Sequence, residues 1–96
     1  MDVVSLKKSA QFVVKRNVSE RVVRVLATFE PTDGRLRLIY CTNGLPTDDD
    51  SEDCEIACAE LIGEFSEISK AETKCLPSDE YASDNDDTEV FSRSLE

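Results

Sequence analysis

Residues 21–41 leave this chain little conformational choice. Val22, Val23, Val25, Leu26 and Phe29 are the β-branched, aliphatic and aromatic types that suit a pleated, half-buried surface. Pro31-Thr32-Asp33-Gly34 follows. Proline presets φ, aspartate can bond its own backbone and glycine accepts a positive φ, so these four residues reverse the chain. Residues 35–41 then alternate, with Leu36, Leu38 and Tyr40 on one face and Arg35, Arg37, Ile39 and Cys41 on the other. Two strands across a short Asp-Gly turn are an antiparallel hairpin, in which Val23, Val25, Ala27 and Phe29 share one face of the first strand.

The flanks read as helices and further strands. Val3, Leu6, Ala10, Val13 and Val14 recur at helical steps and predict a helix over 3–15, with Phe12 off the stripe and Asn17 able to end it. After the hairpin, Asn43-Gly44-Leu45-Pro46 breaks the strand. Thr47 followed by Asp48, Asp49 and Asp50 starts a second helix, because the Thr hydroxyl caps backbone N–H groups and carboxylates suit the positive end of the helix dipole. Cys54, Ala57, Cys58, Leu61 and Phe65 mark its apolar face, with Ile62 beside them, to about residue 65. Residues 67–76 carry a weaker strand pattern. Residues 77–87 form an acidic, mobile loop around Tyr81, and 88–92 form a short last strand. The expected fold is α+β: one two-layer domain over 1–96, order α-β-β-α-β-β, with a sheet of up to four strands under its helices.

Charge divides the chain. Residues 1–37 hold eight Lys/Arg and four Asp/Glu, a net +4; residues 38–96 hold three and seventeen, a net −14. The acids bunch as Asp48, Asp49, Asp50, Glu52 and Asp53, and again as Asp79, Glu80, Asp84, Asp86, Asp87 and Glu89. Such a field repels nucleic acid and anionic lipid and steers basic partners toward it. The competing reading of both clusters is a solvated surface. Tyr81, inside the second cluster, is either an interface anchor or a residue packing its loop onto the sheet.

Catalytic chemistry is poorly provided for. Without His, Ser-His and Cys-His nucleophiles cannot be built, and three scattered glycines make no phosphate loop. The expectation is a protein that is not an enzyme and needs no cofactor. Asp84-Asn85-Asp86-Asp87 has calcium-like residue types but lacks the Gly and terminal Glu of an EF-hand loop. Cys41, Cys54, Cys58 and Cys75 could in principle form a Cys₄ zinc site. Only one close pair exists, and both its members lie on the apolar helix stripe, so small core thiols are the favoured reading. No apolar run fits a secretory leader or a membrane span, which points to the cytoplasm and to reduced thiols.

From Glu20 to Leu76, the order Val22-Val23-Arg24-Val25, the Asp33-Gly34 turn, Arg35-Leu36-Arg37-Leu38-Ile39-Tyr40 and Asn43-Gly44-Leu45-Pro46-Thr47-Asp48-Asp49-Asp50, then an Ala/Glu helix, resembles one family of small acidic bacterial proteins. These are the immunity proteins encoded beside colicin-like and contact-dependent growth inhibition toxins. The resemblance implies a cytosolic antitoxin that binds the catalytic domain of one cognate toxin, one to one, with no catalytic residues. Many such toxins are nucleases, whose active sites are basic because they hold phosphate. The implied toxin-binding residues are Asp79, Glu80, Tyr81, Asp84, Asp86, Asp87 and Glu89, together with Asp48, Asp49 and Glu52. The alternatives are an adaptor or regulatory module that binds a basic protein and, lower, a Cys-based zinc protein.

Overall fold

The computed structural model describes residues 3–80 and 88–92. Helix α1 spans Val3–Arg16, strand β1 Val22–Glu30, strand β2 Arg35–Thr42 and helix α2 Asp48–Glu64. Strand β3 spans Lys70–Pro77, a 3-10 turn covers Ser78–Glu80, and strand β4 spans Thr88–Ser92. The result is the expected α+β arrangement: two helices and one four-stranded mixed sheet, in the order β3-β2-β1-β4.

The hairpin forms as its turn chemistry requires. Glu30 pairs with Arg35 at its tip, and Gly34 sits at φ 68°. Gly34 also anchors the third strand. Its carbonyl accepts from the Ser69 amide at 2.8 Å and from the Lys70 amide at 3.2 Å. A Cβ at this position would lie 2.6 Å from both the Glu67 carbonyl oxygen and the Ser69 hydroxyl. Backbone strain and this clash act together, so Gly34→Ala should lower stability by about 2 kcal/mol, read as a shift of the urea midpoint at unchanged slope.

Helix α2 carries the chain from β2 back to β3, which therefore runs parallel to β2, with Tyr40 opposite Cys75 and Thr42 opposite Pro77. β4 pairs antiparallel with the other side of β1. Both helices pack on one face of the sheet. Leu6, Ala10, Val13 and Val14 of α1 and Cys54, Ala57, Cys58 and Leu61 of α2 cover Val22, Val25, Ala27, Leu36, Leu38 and Tyr40. Each large aliphatic side chain removed from water here contributes about 1.5–3 kcal/mol. Tyr40 keeps its hydroxyl satisfied by donating to the Asn17 carbonyl at 2.8 Å; burial pushes its pKa up.

Three local expectations shift. A register shift between Val22 and Arg24 turns Val22, rather than Val23, into the helix-side core; an extra residue in one strand flips the side-chain alternation beyond it. The third strand begins at Lys70 rather than 67, because Ser69 and Lys70 are held by the hairpin turn, and Ile68 is buried under the core. The expected loop after Leu76 starts as strand and 3-10 turn; its residues 81–87 lie outside the described residues.

Candidate functional site

The charge division of the sequence becomes a division between two adjacent helices. α1 holds Lys7, Lys8, Lys15 and Arg16 and no acid. α2 holds Asp48, Asp49, Asp50, Glu52, Asp53, Glu55, Glu60 and Glu64 and no base. Their seam is bridged at Glu60, which lies 3.5 Å from Arg16 Nη2 and accepts from Asn17 Nδ2 at 2.7 Å. Beyond the seam each helix keeps its own sign toward solvent.

The start of α2 is fixed by local chemistry. Thr47 Oγ1 accepts from the Asp50 amide at 3.3 Å, and Asp50 Oδ2 accepts from the Thr47 amide at 2.9 Å, a reciprocal capping box. Asp50 is 1% exposed and also accepts from Ser19 Oγ at 3.0 Å and from Arg21 Nε at 3.5 Å. Arg21 in turn donates to the Leu45 carbonyl. Burial by itself raises the Asp50 carboxyl pKa, but the donors from Thr47, Ser19 and Arg21 outweigh it and hold the group below its ordinary value. Of the three consecutive aspartates, Asp50 is thus the structural one.

Asp48, Asp49 and Glu52 remain exposed at this end of the helix. Because β2 and β3 are parallel, the chain also leaves β3 here. Thr42 Oγ1 donates to the Gly44 carbonyl at 2.8 Å and reaches the Leu76 carbonyl at 3.4 Å, tying the loop before α2 to the end of β3. Asp79 and Glu80, exposed in the 3-10 turn, therefore lie at the same end of the sheet as Asp48, Asp49 and Glu52. None of these five carboxylates is ion-paired among the described residues. Their crowding registers on a neighbour: burial, then repulsion from Asp50, Asp49 and Glu52, pushes the Asp53 carboxyl pKa up. Acid clusters can be counted in sequence, but bringing Asp79 and Glu80 to the start of α2 needs the parallel β2-β3 pairing, which no local pattern encodes.

Glu89 lies apart. It sits on β4 opposite Leu26 and within 3.6 Å of Arg24 Nε, on the other side of the sheet from β3. Tyr81, Asp84, Asp86 and Asp87 lie outside the described residues. One feature escaped the sequence reading. Ile56 and Ile62 of α2 are each 42% exposed, and Ala59 between them is also exposed. Steps of three residues lay them along the outer surface of the helix, flanked by Glu52, Glu55 and Glu60. Ile62, expected beside the apolar face of α2, instead lies outward with Ile56.

The cysteines divide between the two faces of the sheet. Cys54 and Cys58 belong to the helix-side core, and Cys75 packs against it. Cys41 belongs to a separate cluster with Leu26 and Ile39 on the opposite face. The four sulfurs cannot ligate one ion, and the described residues contain no group of three or more metal-ligating side chains. No helix among the described residues is long and apolar enough to cross a membrane.

Comparison with known proteins adds a family and a fold. The model of the MafI2 immunity protein family matches residues 3–94. No curated protein matches. Among solved structures, two zinc forms of the MamM CTD are similar, each 16% identical over 77% of this chain and 84% of that chain, with TM-scores of 0.52 and 0.53. At that identity the likeness is one of fold alone.

Proposed function

Because this chain belongs to the MafI2 immunity protein family, whose function is to neutralise a toxin, we propose that it binds its cognate toxin through the acidic end of α2. The surface consists of Asp48, Asp49, Glu52, Asp79 and Glu80, continued along α2 by Ile56, Ala59 and Ile62. The partner is the catalytic domain of the toxin, bound one to one in the cytosol, and its contact surface is basic, as a nuclease active site is. Neutralisation proceeds by occlusion: the protein covers the phosphate-holding surface and supplies no chemistry of its own.

The observation that carries this reading is the gathering of five carboxylates, none ion-paired among the described residues, at one end of the sheet, with exposed isoleucines further along α2. Acids alone give steering and weak contacts. An apolar centre within a charged rim is the usual anatomy of a specific interface. Ile56→Ser and Ile62→Ser together should therefore raise the dissociation rate about tenfold, since buried apolar anchors act mainly on residence time. Their exposure in the unbound protein keeps the effect on folding small.

The decisive test is co-purification with the product of the adjacent upstream gene, paired with growth of cells that express its catalytic domain. Co-elution and rescue are expected, with the complex weakening as salt rises. A toxin domain that never co-elutes, in cells that are not rescued, would end the proposal. Rescue that survives loss of all five acids would leave immunity standing and move the interface elsewhere.

A further inference from the structure

One pair of thiols is placed for chemistry that toxin binding does not use. Cys54, in the second turn of α2, is wholly buried and donates to the Leu38 carbonyl at 3.7 Å. Cys75, on the edge strand β3, is half-buried and donates to the Asp50 carbonyl at 3.6 Å. Each thiol therefore reaches backbone of the layer opposite its own. Asp50 stands one helical turn before Cys54, so the Cys75 thiol is held against the turn of α2 that ends at Cys54. The remaining thiols are excluded: Cys58 lies one turn further along α2, and Cys41 lies beneath the sheet.

We propose that Cys54 and Cys75 form an oxidation site, closed to a disulfide by a peroxide, that fastens α2 to β3. The two thiols have unequal roles. Cys75 has access to solvent, and the neighbouring Cys54 and Ser51 side chains favour its thiolate against the cost of burial, while the nearby Cys75 and burial disfavour ionisation of the Cys54 thiol. Cys75 is the attacking sulfur. Its thiolate displaces water from hydrogen peroxide, taking up one proton, and becomes a sulfenic acid. The Cys54 sulfur then attacks the Cys75 sulfur, loses its proton and expels the hydroxyl as a second water. In sum, two thiols and one hydrogen peroxide give one disulfide and two waters.

The bond would join the middle of α2 to the end of β3, near the acidic surface but on the inward side of the helix. It therefore leaves Asp48, Asp49 and Glu52 in place while tethering the helix that carries them. Closing a loop of about twenty residues should raise the melting temperature by roughly 10 °C or more.

The purified full chain, treated with hydrogen peroxide and digested without reductant, supplies the test. The expected result is a protein lighter by two hydrogens, one cross-linked peptide joining Cys54 to Cys75, two thiols still open to alkylation, and a melting temperature that reductant returns to its starting value. Cys75→Ser should abolish the cross-link. Cys54→Ala should leave a sulfenic acid at Cys75 that dimedone traps. A bond mapped to Cys58 or between two chains, or four alkylatable thiols after treatment, overturns the proposal. So does a Cys54→Ala protein that retains its melting transition and yields no dimedone adduct. Because the readouts are mass, thiol count and melting, the outcome is independent of toxin binding.

Discussion

Converting Asp48, Asp49, Glu52, Asp79 and Glu80 to their amides should lower the association rate with the toxin by about 10- to 100-fold at low ionic strength, with a much smaller change in dissociation. The reasoning rests on where these groups stand. All five are exposed at one end of the sheet, and none is ion-paired among the described residues. Charges in that position form a field that draws an oppositely charged surface inward, and a focused field raises on-rates by about 10–10³. Rim charges act on encounter rather than on residence time. At physiological salt the screening length is about 8 Å, so the wild-type rate should fall as salt rises while the five-amide variant stays nearly flat. Stopped-flow association at several salt concentrations reads both effects. Asp48 and Asp49 also face the helix dipole, and their loss should lower stability by about 0.3–1 kcal/mol each. That loss leaves the protein folded and so does not imitate a binding defect. Equal rates for variant and wild type would show that the acidic end of α2 is not where the toxin lands.

Asp50→Ala should have the largest effect on stability. Its carboxylate accepts from the Thr47 amide, Ser19 Oγ and Arg21 Nε in a buried setting. Truncation leaves the Thr47 amide and Ser19 Oγ without their acceptor, while Arg21, 43% exposed, regains water, and it unlatches the first turn of α2. Loss of the cap costs about 0.5–2 kcal/mol, and an unmade hydrogen bond at a buried site about 1–3 kcal/mol. In a domain whose total stability is about 5–15 kcal/mol, together that is a drop in melting temperature of roughly 15 °C. Asp50→Asn keeps the shape and one acceptor and should fall between. A melting temperature within about 3 °C of wild type would refute the assignment of Asp50 as the structural aspartate.

The same residue sets the acid limit. The folded protein holds the Asp50 carboxyl below its ordinary value, so the stability it contributes is complete above the unfolded pKa of about 3.9 and is lost as pH falls through the folded one. Asp53 runs the other way. Its folded pKa lies above the unfolded one, so protonation as pH falls through that raised value relieves a penalty and adds stability. On acidification from neutrality, stability should rise slightly and then collapse. Asp53→Asn should remove the early rise, and Asp50→Asn should soften the late fall. Urea unfolding across the acidic range distinguishes the two.

Much of the fold was legible because its signals are local. The Pro31–Gly34 turn and the alternation after it need only neighbouring residues to act, and β1 and β2 pair across that turn. Thr47 caps the second helix at the position its hydroxyl predicts. The bulge near Val22 was invisible, since Val22, Val23 and Val25 suit either face equally well. The site was half legible. Acid clusters can be counted in sequence, but which acids point outward depends on what lies beneath them. Asp48, Asp49 and Asp50 are chemically identical, and only Asp50 meets Ser19 and Arg21, residues that arrive from before β1.

By itself the sequence determined the elements, the capped start of α2 and the separation of positive from negative charge, because turns, caps and periodicity act over a few residues. The tertiary structure decided that β3 lies parallel beside β2 while β4 flanks β1. That order brings Asp79 and Glu80 to the start of α2, puts Cys75 against Cys54 and sends Cys41 to the opposite face. Strand order follows from burying two helix faces on one side of a sheet at once. That requirement belongs to the whole chain, and no short stretch of it carries the answer.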